Sequence, residues 1–309
     1  NKPIFADITT GDLNINTNDI EHRITENTAA IQAIHIGGVS CSMAKIKDIA
    51  DKHNLWVIED CAQSMGSKYN GYHSGSWGDI ACFSLIKNAY GIGGGILATD
   101  SNEIFKKAIA YNNNLKSSSS KLILFRIIRS IIETYRKYYL GNATYNLLMK
   151  LKGKRKSYDS IKSQLRKITK VELKISAFQL KKLDYLHQKR TRIGKVYFQQ
   201  LNNKKYLLNN NYLPENSSFT KFFLYHPDIK AKETIPKLLR QGVEAMHLEH
   251  RHGSPYQKKL IEDNTAEKQG LTNYIKCHDH IISLPIREDY KGNHIKLIIN
   301  KLQTSIYEK

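Results

Sequence analysis

The chain predicts an α/β fold, with a mixed, mostly parallel sheet in a large N-terminal region and a smaller α+β unit behind it. Three observations carry that expectation. Apolar runs alternate with amphipathic, helix-like segments from Pro3 to Asp100. The runs are continuous, as in strands buried on both faces of a sheet. Past the middle of the chain, strand and helix signals alternate again over shorter spans.

The elements follow in order. "PIFADI" is a short apolar run, and "NTNDIEHRI" offers Thr17 or Asn18 as an N-cap with acidic residues in the first turn. "AAIQAIHIGG" reads as a buried strand ending in glycines. "SMAKIKDIADKHN" sets Met43, Ile46, Ile49 and Ala50 on one helical face behind a Ser42 cap. "LWVIEDCA", "DIACFSL" and "GGILATD" are three more strands.

The middle differs in kind. From Ser117 to about Lys156 the chain is basic and helical, with Leu124, Ile128, Ile131, Tyr135 and Tyr138 along one face and "KLKGKRK" behind them. "ISAFQLKKLDYLHQKRTRIGKVYFQQL" then reads as one long helix. "TKFFLYHPDI", "KETIPKLLRQG", "VEAMHLE", "IISLPI" and "NHIKLIINKLQTSI" complete the smaller unit. The expected organisation is 1–115 as the large domain, 116–160 as a basic amphipathic insertion, and 161–309 as a connecting helix with the small domain.

Composition narrows the function. With 40% hydrophobic and 25% charged residues, the 309-residue chain has globular rather than disordered character. No apolar run reaches the roughly 18 residues that span a bilayer, and no secretory signal opens the chain. It begins at Asn1 within a strand–helix pattern, so an upstream segment is expected to be missing. Cys41, Cys61, Cys82 and Cys277 form no CxxC pair, which argues against a zinc knuckle or a disulfide framework and suits reduced, cytosolic thiols. The net charge of +20 permits nucleic acid, an anionic membrane surface or anionic small substrates. No nucleic-acid module is recognisable.

Two residues draw the chemistry together. Asp60 stands at the C-terminal end of a strand, the edge where ligands collect in parallel α/β sheets; its Glu-Asp pair could instead cap the next turn. Lys87 ends a later strand, just before a glycine-dense reversal. That stretch lacks GxGxxG spacing and leads into a strand rather than a helix, so a dinucleotide loop fits poorly. A glycine reversal lets backbone approach a ligand closely. A lysine beside it is then either a surface charge or the covalent anchor of a planar cofactor. A pyridinium ring nitrogen would want a carboxylate such as Asp60, and Ser84 offers a hydroxyl for a phosphate.

The block "NLWVIEDCAQSMGSKYNGYHSGSWGDIACFSLIKNAYGIGGGILATD" resembles the DegT/DnrJ/EryC/StrS nucleotide-sugar aminotransferases, pyridoxal-phosphate enzymes of fold type I. Glu59, Asp60, Gln63, Gly66, Gly71, Gly78, Asp79, Phe83, Ser84, Lys87, Gly94 and Gly95 carry the match. "FADITTGDLNINTNDIEHRITENTAAIQAIHIGG" upstream and "FQLKKLDYLHQKR", "GVEAMHLEHRHGSPYQ" and "ISLPI" downstream extend it. The resemblance implies roles. Lys87 would carry pyridoxal 5'-phosphate as an imine and then shuttle a proton. Asp60 would pair with the ring nitrogen, Gln63 would contact the ring or its 3-hydroxyl, and Ser84 would hold the phosphate. His252 would lie in the sugar pocket. Glutamate would donate the amino group, a nucleoside-diphosphate keto sugar would accept it, and a cytosolic homodimer would share the site. The product would serve polysaccharide or lipopolysaccharide biosynthesis. The dehydratase branch of the family replaces the lysine by histidine, and Lys87 is present.

The chain departs from the family pattern in three places. Ser84-x-x-Lys87 is shorter than the family's Ser-x-x-x-x-Lys, which implies a deletion just before the lysine. Leu165 occupies the position of a family asparagine that reaches the partner's phosphate, with Lys167 near the family's arginine. The family's upstream phosphate loop and ring-stacking aromatic are expected to lie in the missing upstream segment, and a non-catalytic relic or binding partner is the alternative reading. Two other features had competing explanations. His247, His250 and His252 fit no metal-ligand spacing and read mainly as surface groups plus one pocket histidine. The basic block at 121–156 reads as a packed helical excursion, or as a helix lying on an anionic membrane surface at its inner face.

Overall fold

The computed structural model describes residues 3–135, 165–201, 216–247 and 269–307. Its larger sheet has four strands in the order β1-β2-β5-β6: β1 Ala30–Ile34, β2 Trp56–Asp60, β5 Ile80–Ser84 and β6 Gly95–Ala98. The first three run parallel and β6 is antiparallel to β5. A small hairpin, β3 Lys68–Tyr69 with β4 Tyr72–His73, sits between β2 and β5 in sequence. The sheet is therefore mixed and mostly parallel, as expected from the sequence.

Register aligns Ile34, Asp60, Cys82 and Leu97 across the sheet, with Ser84 two residues further on. Side chains alternate faces along a strand, so these residues share one face. Ala33, Val57, Glu59 and Ala81 on the other face are buried. Ala33 and Val57 pack with Met43, Ile46 and Ala50 of α2 (Met43–Lys52), the helical face expected from the spacing. The strands were expected to be buried on both faces, and that is not what the structure shows. Trp56 is 52% exposed, Leu97 46% and Ile34 40%, and every residue of β6 is exposed. The apolar runs thus have a core side and an open side, and Asp60 and Ser84 lie on the open one.

Helix α1 (Thr17–Arg23) is capped one residue earlier than expected: the Asn16 side chain accepts the Asn18 N–H, and Thr17 is already helical. After α3 (Asn102–Asn113), α4 runs Ser120–Tyr135, within the basic amphipathic block. Its stripe does not pack. Within the described part, Leu124, Ile128 and Ile131 of the expected stripe are exposed, as are Phe125 and Ile132. Arg126 instead reaches the buried Glu172, which forms a reciprocal capping box with Thr169 at the start of α5 (Lys170–Leu180). The rest of the basic block, 136–160, lies outside the described residues.

The expected single long helix is two, α5 and α6 (Leu183–Leu201). At the break, the Lys182 N–H bonds back to Gln179 O, a tightened i→i−3 turn between the two helical ladders. Helix α6 carries Ile193, Tyr197 and Leu201 into the core of the smaller unit. That unit has an antiparallel sheet in the order β7-β9-β8 (Phe222–Tyr225, Ile281–Leu284, Met246–His247). Helices α7 (Ala231–Arg240) and α9 (Gly292–Tyr307) pack on it through Leu238, Ile295, Ile299 and Leu302; α8 (Thr272–Cys277) is short. Tyr197 stacks on Phe222 at 5.0 Å and donates its hydroxyl to Pro285 O. Burying each such aliphatic or aromatic side chain contributes roughly 1.5–3 kcal/mol.

Candidate functional site

Asp60 ends β2, and the chain turns at once: the Ala62 N–H donates to Asp60 Oδ1 at 3.0 Å. No described residue donates to its Oδ2. Neighbouring β5 ends at Ser84, whose Oγ accepts the Ile86 N–H at 3.3 Å and keeps its own O–H to donate. Leu85 to Tyr90 form a compact loop closed by Gly91 N–H to Leu85 O at 2.7 Å. A Cβ on Gly91 would come within 2.8 Å of that same oxygen, so glycine is required for the closure. Gly94 has φ of +87°, and a Cβ there would meet the Ile168 side chain at 2.5 Å. The glycines act on the loop's geometry, and this is what carries the chain back into β6.

Lys87 sits in this loop, half-buried, and forms no hydrogen bond or ion pair with any described residue. Burial pushes its pKa below the ordinary lysine value, and the negative charge of Asp60 partly restores it. An unpaired amine that is more often neutral is a better nucleophile than a solvated surface lysine. Gln63 lies just past Asp60, and its Oε1 is 3.5 Å from Thr220 Oγ1 of the smaller unit. The structure thus brings Asp60, Gln63, Ser84 and Lys87 to one end of one sheet. His252 lies outside the described residues, as do His250 and Glu249.

The donor set fits a pyridoxal phosphate. It supplies an open carboxylate oxygen at Asp60, a free hydroxyl proton at Ser84 and an unpaired amine at Lys87, all at the open sheet edge.

Several residues that shape this site were not singled out from sequence for what they do. Glu59, adjacent to Asp60 but on the buried face, is a hub. Its Oε1 accepts the N–H groups of Trp77 and Gly78, and its Oε2 accepts that of Gly75 and faces His35 Nε2 at 3.0 Å. Because the Cys41 N–H donates to His35 Nδ1, the ring proton sits on Nε2, toward Glu59. Burial raises the Glu59 pKa, and these hydrogen bonds more than offset it, leaving the carboxyl below its ordinary value. His35, Glu59 and Cys61 lie close enough to suggest a metal cluster. The hydrogen bonds consume both carboxylate oxygens, and burial drives the Cys61 thiol far toward its protonated form, so the cluster is structural.

Asn88, Arg190 and Glu288 were also missed. Arg190, buried on α6, donates from both terminal nitrogens to Asn88 O at 3.2 Å and from Nε to Glu288 Oε1 at 2.7 Å. Glu288 also accepts the Tyr90 hydroxyl at 2.5 Å, and the Arg190 guanidinium lies 4.9 Å from the Tyr90 ring centroid. A signal existed: Leu186, Arg190, Ile193 and Tyr197 fall at helical spacing, which puts a lone arginine on an otherwise apolar face. A groove of about 610 Å³ beside Tyr90 is lined by Lys182, Lys189, Arg192 and Lys291, but by none of Asp60, Gln63, Ser84 or Lys87. It adjoins the lysine loop without containing the reactive groups.

Residues 1–303 match the DegT/DnrJ/EryC1/StrS aminotransferase family. The chain belongs to this family. Its cofactor is pyridoxal phosphate, and its members are sugar aminotransferases and their relatives. A dTDP-3-amino-3,6-dideoxy-alpha-D-galactopyranose transaminase of Aneurinibacillus thermoaerophilus is 27% identical over 304 residues, 96% of this chain and 71% of that protein. The GDP-perosamine synthase of Escherichia coli O157:H7 is 42% identical over 101 residues, 32% of this chain and 28% of that protein. Among solved structures, Helicobacter pylori PseC, an aminotransferase involved in pseudoaminic acid biosynthesis, superposes with a TM-score of 0.72 at 20% identity. That match covers 100% of this chain and 74% of PseC. At that identity the likeness speaks for the fold, and it agrees with the fold type I architecture expected from the sequence. The chain thus spans about three quarters of the length of the family members it matches end to end.

Proposed function

We propose that the chain works as a pyridoxal-phosphate-dependent aminotransferase that moves an amino group from glutamate onto a nucleoside-diphosphate-linked keto sugar. The product feeds surface-polysaccharide or lipopolysaccharide assembly. One observation carries the reading: the half-buried, unpaired amine of Lys87, depressed in pKa, in the field of Asp60.

When bound, pyridoxal phosphate supplies the electron sink that lets an amino group move between an amino acid and a keto sugar. The chain's own groups do the rest. Lys87 Nζ would be the covalent anchor, and as a free amine it would hold and return a proton at the substrate carbon. Asp60, through its open Oδ2, would hold a proton on the ring nitrogen. Ser84 donates its hydroxyl proton to the phosphate while Ile86 N–H fixes the oxygen. Gln63 contacts the ring or its 3-hydroxyl, and His252 belongs to the sugar pocket.

The exposed face of the sheet and of α4 supports a homodimer as the working state, with peripheral contact to an anionic membrane through 121–156. A second reading, a non-catalytic relic or binding partner, is favoured by Leu165. It fills the family's amide position with an apolar side chain that stands 43% exposed.

The test is glutamate turnover. Purified protein loaded with pyridoxal phosphate should lose its visible absorbance band on adding glutamate and release 2-oxoglutarate. Cofactor binding without any glutamate-dependent change would favour the second reading.

A further inference from the structure

The loop that carries Lys87 is short and would be free to tilt if only its own backbone held it. Its neighbour Asn88 is fully buried at a junction of four segments. Asn88 Nδ2 donates to Gln63 O at 3.3 Å, Met65 O at 3.2 Å and Ser218 Oγ at 3.4 Å. Three acceptors around one nitrogen fix the amide's orientation, because the flipped amide would set its oxygen against two carbonyls. Ser218 in turn donates from Oγ to Gln63 O at 3.0 Å, and its N–H reaches Gly38 O and Ser67 Oγ. From the other side, Arg190 clasps the main-chain oxygen of Asn88 and is itself held by Glu288.

We propose that Asn88 is the positioning residue for Lys87: its side chain ties the lysine loop to the Gln63–Met65 turn that follows Asp60, and Arg190 braces the same peptide from α6. The inference rests on the reading of Lys87 as the cofactor's anchor. The Asn88 side chain is spent on Gln63, Met65 and Ser218. It acts by fixing where the Lys87 amine stands relative to the Asp60 carboxylate at the end of the neighbouring strand. The clamp also spans the two units of the chain, since Ser218 precedes β7 and Arg190 lies on α6.

The test compares wild type, Asn88→Leu, which keeps the volume and removes the donors, and Arg190→Lys, which keeps the charge and loses the two-nitrogen clasp. The first readout uses cofactor-free protein: the pH dependence of Lys87 reductive methylation, followed by peptide mass spectrometry. With the clamp released, Lys87 should lose its burial, and the midpoint should move up toward the ordinary lysine value. The second readout is pyridoxal phosphate affinity, expected to fall on the order of tenfold for Asn88→Leu. Should Asn88→Leu not fold, Ser218→Ala with Arg190→Lys carries the same comparison.

An unchanged methylation midpoint and affinity, even with a lowered melting temperature, would overturn the proposal and leave Asn88 a structural residue. If wild type binds no pyridoxal phosphate, the functional reading fails on its own, while the methylation comparison still decides the clamp.

Discussion

His35 Nε2 faces Glu59 Oε2 at 3.0 Å, with both side chains wholly buried and Glu59 next in sequence to Asp60. The pair anchors the 75–78 turn through three backbone N–H groups and so sets the end of β2 from its buried side. Glu59→Gln keeps one acceptor oxygen but puts an NH2 in place of the other, so the donors facing that position, Gly75 N–H with His35 Nε2 or Trp77 N–H with Gly78 N–H, lose their acceptor. We expect a loss of about 3 kcal/mol, read as a lowered denaturation midpoint.

The same carboxylate sets an acid limit. Its folded pKa lies below the unfolded value, so its contribution is present above an ordinary carboxylate pKa of 4.5 and is lost as pH falls through the lower folded value. In Glu59→Gln that portion of the acid-unfolding slope should disappear. A slope matching wild type would contradict the assignment.

Arg190 and Glu288 form the second buried pair, with side-chain exposures of 3% and 10%. Arg190→Met leaves Glu288 and Asn88 O without their cation and should destabilise by roughly 3–5 kcal/mol. Tyr90, whose phenol burial pushes up to about 12, loses its guanidinium neighbour in the same variant. Its ultraviolet titration should then shift relative to wild type.

Gly94→Ala tests the loop closure. The φ of +87° there is a conformation an L side chain adopts only under strain, and the added carbon would press on Ile168. A cost of about 1–2 kcal/mol or more is expected from the backbone alone. Lys87 should also become more accessible to amine reagents.

The exposed stripe of α4 predicts the opposite behaviour. Ile128→Ser with Ile131→Ser should leave the monomer's stability within about 0.5 kcal/mol of wild type. Co-sedimentation with anionic vesicles, or dimer formation in sedimentation velocity, should weaken in the same protein if that face is a docking surface. A large loss of stability would mean that the stripe packs after all.

What was legible in the sequence were residues whose chemistry and neighbours coincide. Asp60 ends an apolar run that is a strand, Lys87 follows another whose strand stops three residues earlier at Ser84, and the glycine reversal after Lys87 announced a return. The break at Lys181–Lys182 was not legible, because both flanking segments keep good helix formers and no glycine or proline marks the turn. The open face of the sheet was hidden because Trp56, Ile34 and Leu97 are as apolar as core residues. The structural roles of Asn88 and Glu59 were not legible for another reason. Their partners are backbone groups brought near by the fold, and no spacing in the chain encodes those contacts. Arg190 was readable as a charge on an apolar helical face, but its partner Glu288 is distant in sequence.

The central claim is that Lys87 anchors the cofactor, and covalent mapping tests it most directly. Protein incubated with pyridoxal phosphate would be reduced with borohydride, digested and mapped by mass spectrometry, with Lys87→Ala beside it. The account predicts a single dominant phosphopyridoxyl adduct on the peptide containing Lys87, absent from the variant. An adduct spread over surface lysines, or one that survives Lys87→Ala unchanged, would contradict it.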